Sequence, residues 1–125
     1  MLRSKLLFGA ALLVVTASLA HAAERPLTGP EITALLSGNT ALGKNDRGPW
    51  KQYFEPGGGT AYQAGTDVSR GAWAVQGEKF CSQWPPNEKW TCYSVTGDVD
   101  ANPKTVTWIG DGATYPGSVQ AGDGL

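Results

Sequence analysis

GAWAVQGEKFCSQWPPNEKWTCYSV, residues 71–95, decides how this chain folds. Strand patterning, turn chemistry and a covalent link coincide there. Three strands are expected, at Gly71–Val75, Glu78–Trp84 and Trp90–Val95. Pro85 and Pro86 cannot both sit inside a paired strand, so the chain reverses over Pro85–Glu88. A four-residue loop sets Trp84 against Lys89, Gln83 against Trp90, and Cys81 against Cys92. Opposed residues of antiparallel strands lie within disulfide reach. The preceding turn is read as Gln76-Gly77, with Gly77 supplying positive φ. That register pairs Trp73 with Phe80 and Ala72 with Cys81.

Side chains alternate across a sheet. One face then carries Trp73, Val75, Phe80, Ser82, Tyr93 and Val95; the other carries Ala72, Ala74, Cys81, Cys92 and Trp90. The first is assigned to the core, because aromatic and β-branched residues meeting across strands stabilise sheets. The alanines leave room for the disulfide on the other side.

Outward from this stretch, the N-terminus reads as an export signal. Arg3 and Lys5 precede the apolar run Leu6–Leu19, and Ala20-His21-Ala22 is a small-x-small cleavage site. The run is short for a membrane span, and none is expected after cleavage. Residues 1–22 are therefore assigned to the signal and 23–125 to one exported domain, periplasmic or secreted and monomeric. An exported chain with two cysteines is expected to join them.

Composition excludes more than it specifies. Without Arg3 and Lys5, eight basic residues face eleven acidic ones, a net charge of −3. That argues against a nucleic-acid partner. His21 is the one histidine, so the mature domain has none. Ser-His-Asp and Cys-His catalysis and His-ligated metals are thereby removed. A non-enzymatic protein without cofactor is expected.

The first mature element is a helix over Gly29–Ser37. Thr28 and Glu31 form a capping box, Leu27 and Ile32 a hydrophobic staple, and Gly38 a C-terminal cap. Ile32, Leu35 and Leu36 make an apolar stripe that must dock on a sheet. Asn39–Gly43 is a weak strand or turn, and Asn45–Pro49 a loop. Trp50–Glu55 and Thr60–Ala64 pair around Pro56–Gly59, which lacks the lysine of a phosphate loop. Gly65–Arg70 is a polar connection, and Arg70 and Lys79 could pair with Asp67 or Glu78. Gly97–Pro103 is a loop, Lys104–Ile109 a strand, and Ala113–Tyr115 a short last strand. The glycine-rich residues 116–125 read as a loose tail. The sum is mainly β: an antiparallel meander forming a small barrel or curled sheet, capped by one short N-terminal helix.

Three candidate sites emerge. Trp50, Tyr53, Trp84 and Trp90 offer an aromatic surface for a sugar ring or a partner's apolar groups; the competing reading buries Trp50 and Trp84 and lays Trp90 over the disulfide. Asp98, Asp100 and Asn102 resemble half a calcium loop, but Pro103 replaces its glycine and Ile109 its glutamate, so a turn is the preferred reading and no metal is expected. Glu55 and Glu78 lie in or beside strands with nothing to place them together for glycosidase chemistry.

Gly71-x-Trp73-x-Val75, Cys81-x-x-Trp84 and Cys92-Tyr93, with the opening Leu27-Thr28-Gly29-x-Glu31-Ile32 and Leu36-x-Gly38-Asn39-Thr40, resemble a family of small exported proteobacterial proteins of unknown function. That resemblance implies a shared scaffold and no catalytic residue. The layout is also similar, by fold analogy alone, to lipocalin-like and protease-inhibitor barrels. The expected function is binding of a small apolar ligand or of a protein or glycan partner. The alternatives are inhibition of a protease or lysozyme-like hydrolase, through Pro56–Gly59, Pro85–Glu88 or the N-terminal lead, and a carboxylate hydrolase.

Overall fold

The computed structural model describes residues 9–11 and 24–125. The cleavage site after Ala22 and His21 lie outside the described residues, as does most of the expected export signal. No helix among the described residues is long and apolar enough to cross a membrane.

The elements are β1 (Arg25–Pro26), α1 (Gly29–Leu36), β2 (Asn39–Asn45), β3 (Gly48–Phe54), β4 (Gly59–Ala64), β5 (Asp67–Gln76), β6 (Lys79–Gln83), β7 (Thr91–Asp98), β8 (Lys104–Gly110) and β9 (Ala113–Ala121). From β2 to β9 each strand pairs antiparallel with the next, and β9 returns to β2, closing an eight-stranded barrel. Closure leaves no free sheet edge along the wall. β1 pairs with Thr96 and Gly97 of β7, beyond the point where β6 stops.

The central hairpins keep their predicted faces with a different register. Cys81 pairs with Cys92 and is joined to it, the Cα atoms 4.0 Å apart. The first turn, however, is Gly77-Glu78, because Gln76 pairs with Lys79. Trp73 therefore faces Ser82 rather than Phe80, and Ala74 rather than Ala72 lies beside Cys81. The slip is two residues, so every side chain stays on its assigned face. The β6–β7 ladder ends at Ser82–Thr91. Residues 84–90 form the connection, a longer loop than predicted. Gln83 Nε2 donates to the Glu88 carbonyl across it (2.5 Å) instead of pairing with Trp90.

Inside, Phe54 packs edge-on against Trp73 and Phe80, at 5.6 and 5.7 Å between ring centres, and stacks on Trp108 at 6.1 Å. Val95, Val106 and Val119 fill the gaps. Trp73 Nε1 donates to the Glu55 carbonyl (2.9 Å).

α1 closes one end. The Thr28–Glu31 capping box is present, with Leu27 and Ile32 both buried beside it. Ile32, Leu35 and Leu36 face inward, and Gly38 follows the helix at φ +76°. Gly29 meets the Gly77 carbonyl so closely that a Cβ would sit 2.1 Å from its oxygen. The helix can seat against the β5–β6 turn only with glycine there.

Two connections prove to be strand. β2 and β3 extend to Asn45 and from Gly48, leaving Asp46-Arg47 as the turn, and β5 begins at Asp67. The predicted loose tail is the largest correction. Residues 113–121 form β9, and Ala121, Gln120, Val119 and Ser118 pair with Asn39–Leu42. Thr40 Oγ1 donates to the Gly122 carbonyl (2.7 Å) and accepts from the Gly124 amide (2.8 Å). Pro116 lies past Ser118, where the pairing with β2 stops and only β8 is alongside; an edge position tolerates proline.

Candidate functional site

The end opposite α1 is open. It is ringed by the turns β2–β3, β4–β5 and β8–β9 and by the loop 84–90. Between them lies a cavity of about 620 Å3, within the range of small-molecule sites.

Strand alternation builds its wall. On β3, Trp50 and Gln52 face in ahead of the core residue Phe54; on β2, Gly43 pairs with Trp50. Trp50 stacks on Tyr62 of β4 with ring centres 5.9 Å apart, and Tyr62 meets Trp84 edge-on at 6.3 Å. Across the barrel, Tyr93 and Tyr115 are perpendicular at 6.1 Å, while Phe80 and Trp108 form the floor.

Glycines give these rings their seats. A Cβ on Gly43 would lie 2.2 Å from the Trp50 ring, and one on Gly117 3.2 Å from it. Gly71 lies under Trp84 and Gly110 under Tyr93, with corresponding distances of 2.8 and 2.7 Å. Trp50, Trp84 and Tyr93 thus each lie across a glycine of a neighbouring strand.

Apart from Lys44 and Arg70 at its mouth, the polar groups of the cavity are neutral. Gln52 Nε2 donates to Thr60 Oγ1 (3.0 Å), which fixes the amide. Trp84 Nε1 donates to Ser82 Oγ (3.3 Å). Ser69 and the Tyr62, Tyr93 and Tyr115 rings complete the polar rim. The Tyr93 hydroxyl holds its proton above the ordinary tyrosine range, chiefly through burial and also through Tyr115 and Asp111. Among the described residues, no Asp or Glu lines the cavity. Lys44 and Arg70 border it, but both are exposed and sit at positions that alternate to the outer face. Among the described residues Trp108 Nε1 is the one buried side-chain nitrogen or oxygen without a hydrogen-bond partner.

The predicted aromatic surface divides in two. Trp50 and Trp84 line the cavity. Tyr53 lies on the outer face of β3, and Trp90, 39% exposed, stands outside in the loop. Gln52, Tyr62, Ser69, Trp108 and Tyr115 were not singled out by sequence. The signal available was the alternation Trp50-x-Gln52-x-Phe54, which places Gln52 beside two inward rings.

Asp98, Asp100 and Asn102 do not form an ion cage. Asp98 is buried, and its Oδ1 accepts from the backbone amides of Asp100 (3.0 Å) and Ala101 (3.1 Å), closing the turn. No group of three or more His, Cys, Asp or Glu among the described residues is placed to hold a metal. Glu55 and Glu78 occupy turns at the helix end, away from the cavity. Arg70 forms no ion pair with Asp67; among the described residues the one ion pair is Arg25–Glu31. It holds the Glu31 carboxyl down to about 2, the Arg25 hydrogen bond being the main cause and the Thr28 amide the next.

No protein-family model matches the chain, and neither a curated protein nor a solved structure matches it.

Proposed function

We propose that this domain is an exported, non-enzymatic binding protein that holds a small uncharged molecule in the open end of its barrel. The observation that carries this reading is the cavity itself: one end of the barrel is filled by α1 and a packed aromatic core, while the other is hollow and walled by rings seated on glycines. A concave, largely apolar-walled hollow of this size has the form of a small-molecule site. The walls suit capture rather than hydrolysis, because among the described residues no carboxylate lines the cavity to act as acid, base or nucleophile.

The test uses N-phenyl-1-naphthylamine, a neutral apolar fluorophore. The chain 23–125, disulfide intact, should bind it saturably with enhanced emission. Ser69→Trp, which places an indole in the mouth, should abolish the enhancement while the protein stays folded by circular dichroism. Saturable binding that survives this substitution would place the ligand elsewhere and refute the proposal.

A second reading, inhibition of a hydrolase, has one observation in its favour. The exposed loop 84–90 is tied internally: the Asn87 amide donates to the Trp84 carbonyl (3.0 Å) and the Lys89 amide to Asn87 Oδ1 (3.0 Å). A presented loop of this kind suits an inhibitor. Recovery of a single periplasmic hydrolase on the immobilised domain, lost when Asn87 is replaced by alanine, would favour it over ligand capture.

A further inference from the structure

The chemistry of the wall narrows the ligand further, on the assumption that the cavity is a binding site. We infer that the cavity takes a neutral carbohydrate of one or two pyranose rings. A sugar ring has apolar C–H faces and an equator of hydroxyls that both donate and accept. The cavity offers the complement. Tyr62 and Trp84 supply aromatic surface on one side, backed by the Trp50 ring that stacks on Tyr62. Gln52, Ser82 and the tyrosine hydroxyls supply neutral hydrogen-bonding groups among them.

Several of those groups have spare capacity. The Gln52 amide nitrogen is committed to Thr60, which leaves its carbonyl oxygen to accept. Ser82 Oγ accepts from Trp84 and keeps its own proton to donate. The Tyr62, Tyr93 and Tyr115 hydroxyls make no hydrogen bond among the described residues, and a phenolic hydroxyl can both donate and accept. An apolar ligand such as the fluorophore would cover these groups without replacing their water, so it should bind more weakly than a ligand that hydrogen-bonds them. Lys44 and Arg70 line only the mouth, from exposed positions whose register alternates outward, so the inner wall itself offers a charged ligand no counter-charge. The volume, about 620 Å3, accommodates one or two pyranose rings with bridging water.

The experiment is isothermal titration of the disulfide-intact chain 23–125 with glucose, galactose, N-acetylglucosamine, maltose, cellobiose and chitobiose. At least one should bind at one-to-one stoichiometry and displace N-phenyl-1-naphthylamine. Tyr62→Phe, which keeps the ring and removes one hydroxyl, should weaken that sugar about three- to tenfold, the usual effect of one neutral hydrogen bond. Trp84→Ala should weaken it at least as much, and Tyr53→Phe on the outer face should leave it unchanged. If the fluorophore binds and no sugar does, the carbohydrate inference falls while the cavity reading stands. If sugar binds but Tyr53→Phe weakens it and Tyr62→Phe does not, the inference falls as well. Failure of both ligands overturns inference and cavity reading together.

Discussion

Single residues in this barrel divide between packing and site. Trp73 is 7% exposed, touches Phe54 and Phe80, and donates to the Glu55 carbonyl. Trp73→Ala should cost roughly 3–5 kcal/mol in urea melts, the range for deleting a buried aromatic; less than about 1 kcal/mol would contradict its place in the core. Gly43 answers to the site instead. In Gly43→Ala the new Cβ would fall 2.2 Å from the Trp50 ring, so the ring must swing away. A cost of roughly 1–3 kcal/mol is expected for such overpacking, together with loss of fluorophore binding. Unchanged binding would show that the Trp50 ring is not part of the wall. Glu31 gives a pH signature. Its carboxyl is held at about 2 against an ordinary 4.5, so its contribution to stability is present above pH 4.5 and is lost as pH falls through about 2. Glu31→Gln should remove this part of the acid dependence of the melting temperature, a small part because the pair is solvent-exposed. Identical acid profiles for the two proteins would contradict the assignment.

At the level of elements, the disulfide between β6 and β7 sits on the outer face, one pair from the end of the ladder and next to the loop that carries Trp84. Replacing both cysteines by alanine should cost about 3 kcal/mol by the chain-entropy estimate for a short loop, measured as the shift in urea unfolding free energy. A loss below about 1 kcal/mol would mean that the ladder alone holds this hairpin. These elements also show what the sequence could and could not convey. The Thr28–Glu31 box, the Cys81–Cys92 pairing and the inward face of Trp73 were all legible, because each rests on contacts local in sequence or fixed by one hairpin. The Gly77-Glu78 turn was misread, because Gly77 can occupy either position of a two-residue loop. The expected last strand stops at Tyr115, short of the end of β9, because Pro116 and the glycines at 117, 122 and 124 read as breakers. Their explanation is non-local: Gly117 is required by the Leu42 carbonyl and the Trp50 ring, both distant in sequence.

For the molecule as a whole, closure by β2 and β9 distinguishes a barrel from a curled sheet, and that pairing joins the two ends of the domain. Deleting residues 116–125 should therefore abolish cooperative thermal unfolding rather than trim an idle tail; an unchanged transition would contradict closure. The same closure creates the cavity, since Tyr115 and Pro116 of β9 line its far side. The site was only partly legible for this reason. Sequence marks Trp50 and Trp84 as aromatic, but cannot show that eight strands bring them, with Gln52, Tyr62 and Trp108, around one hollow while leaving Tyr53 and Trp90 outside.

Five tryptophans make that division measurable. In a proton–nitrogen correlation spectrum of the 15N-labelled chain 23–125, each indole N–H gives its own signal. On titration with N-phenyl-1-naphthylamine, the signals of Trp50, Trp84 and Trp108 should move together and saturate, while those of Trp73 in the core and Trp90 on the outside stay in place. Movement led by Trp90, with the three cavity indoles unchanged, would contradict a binding site inside the barrel.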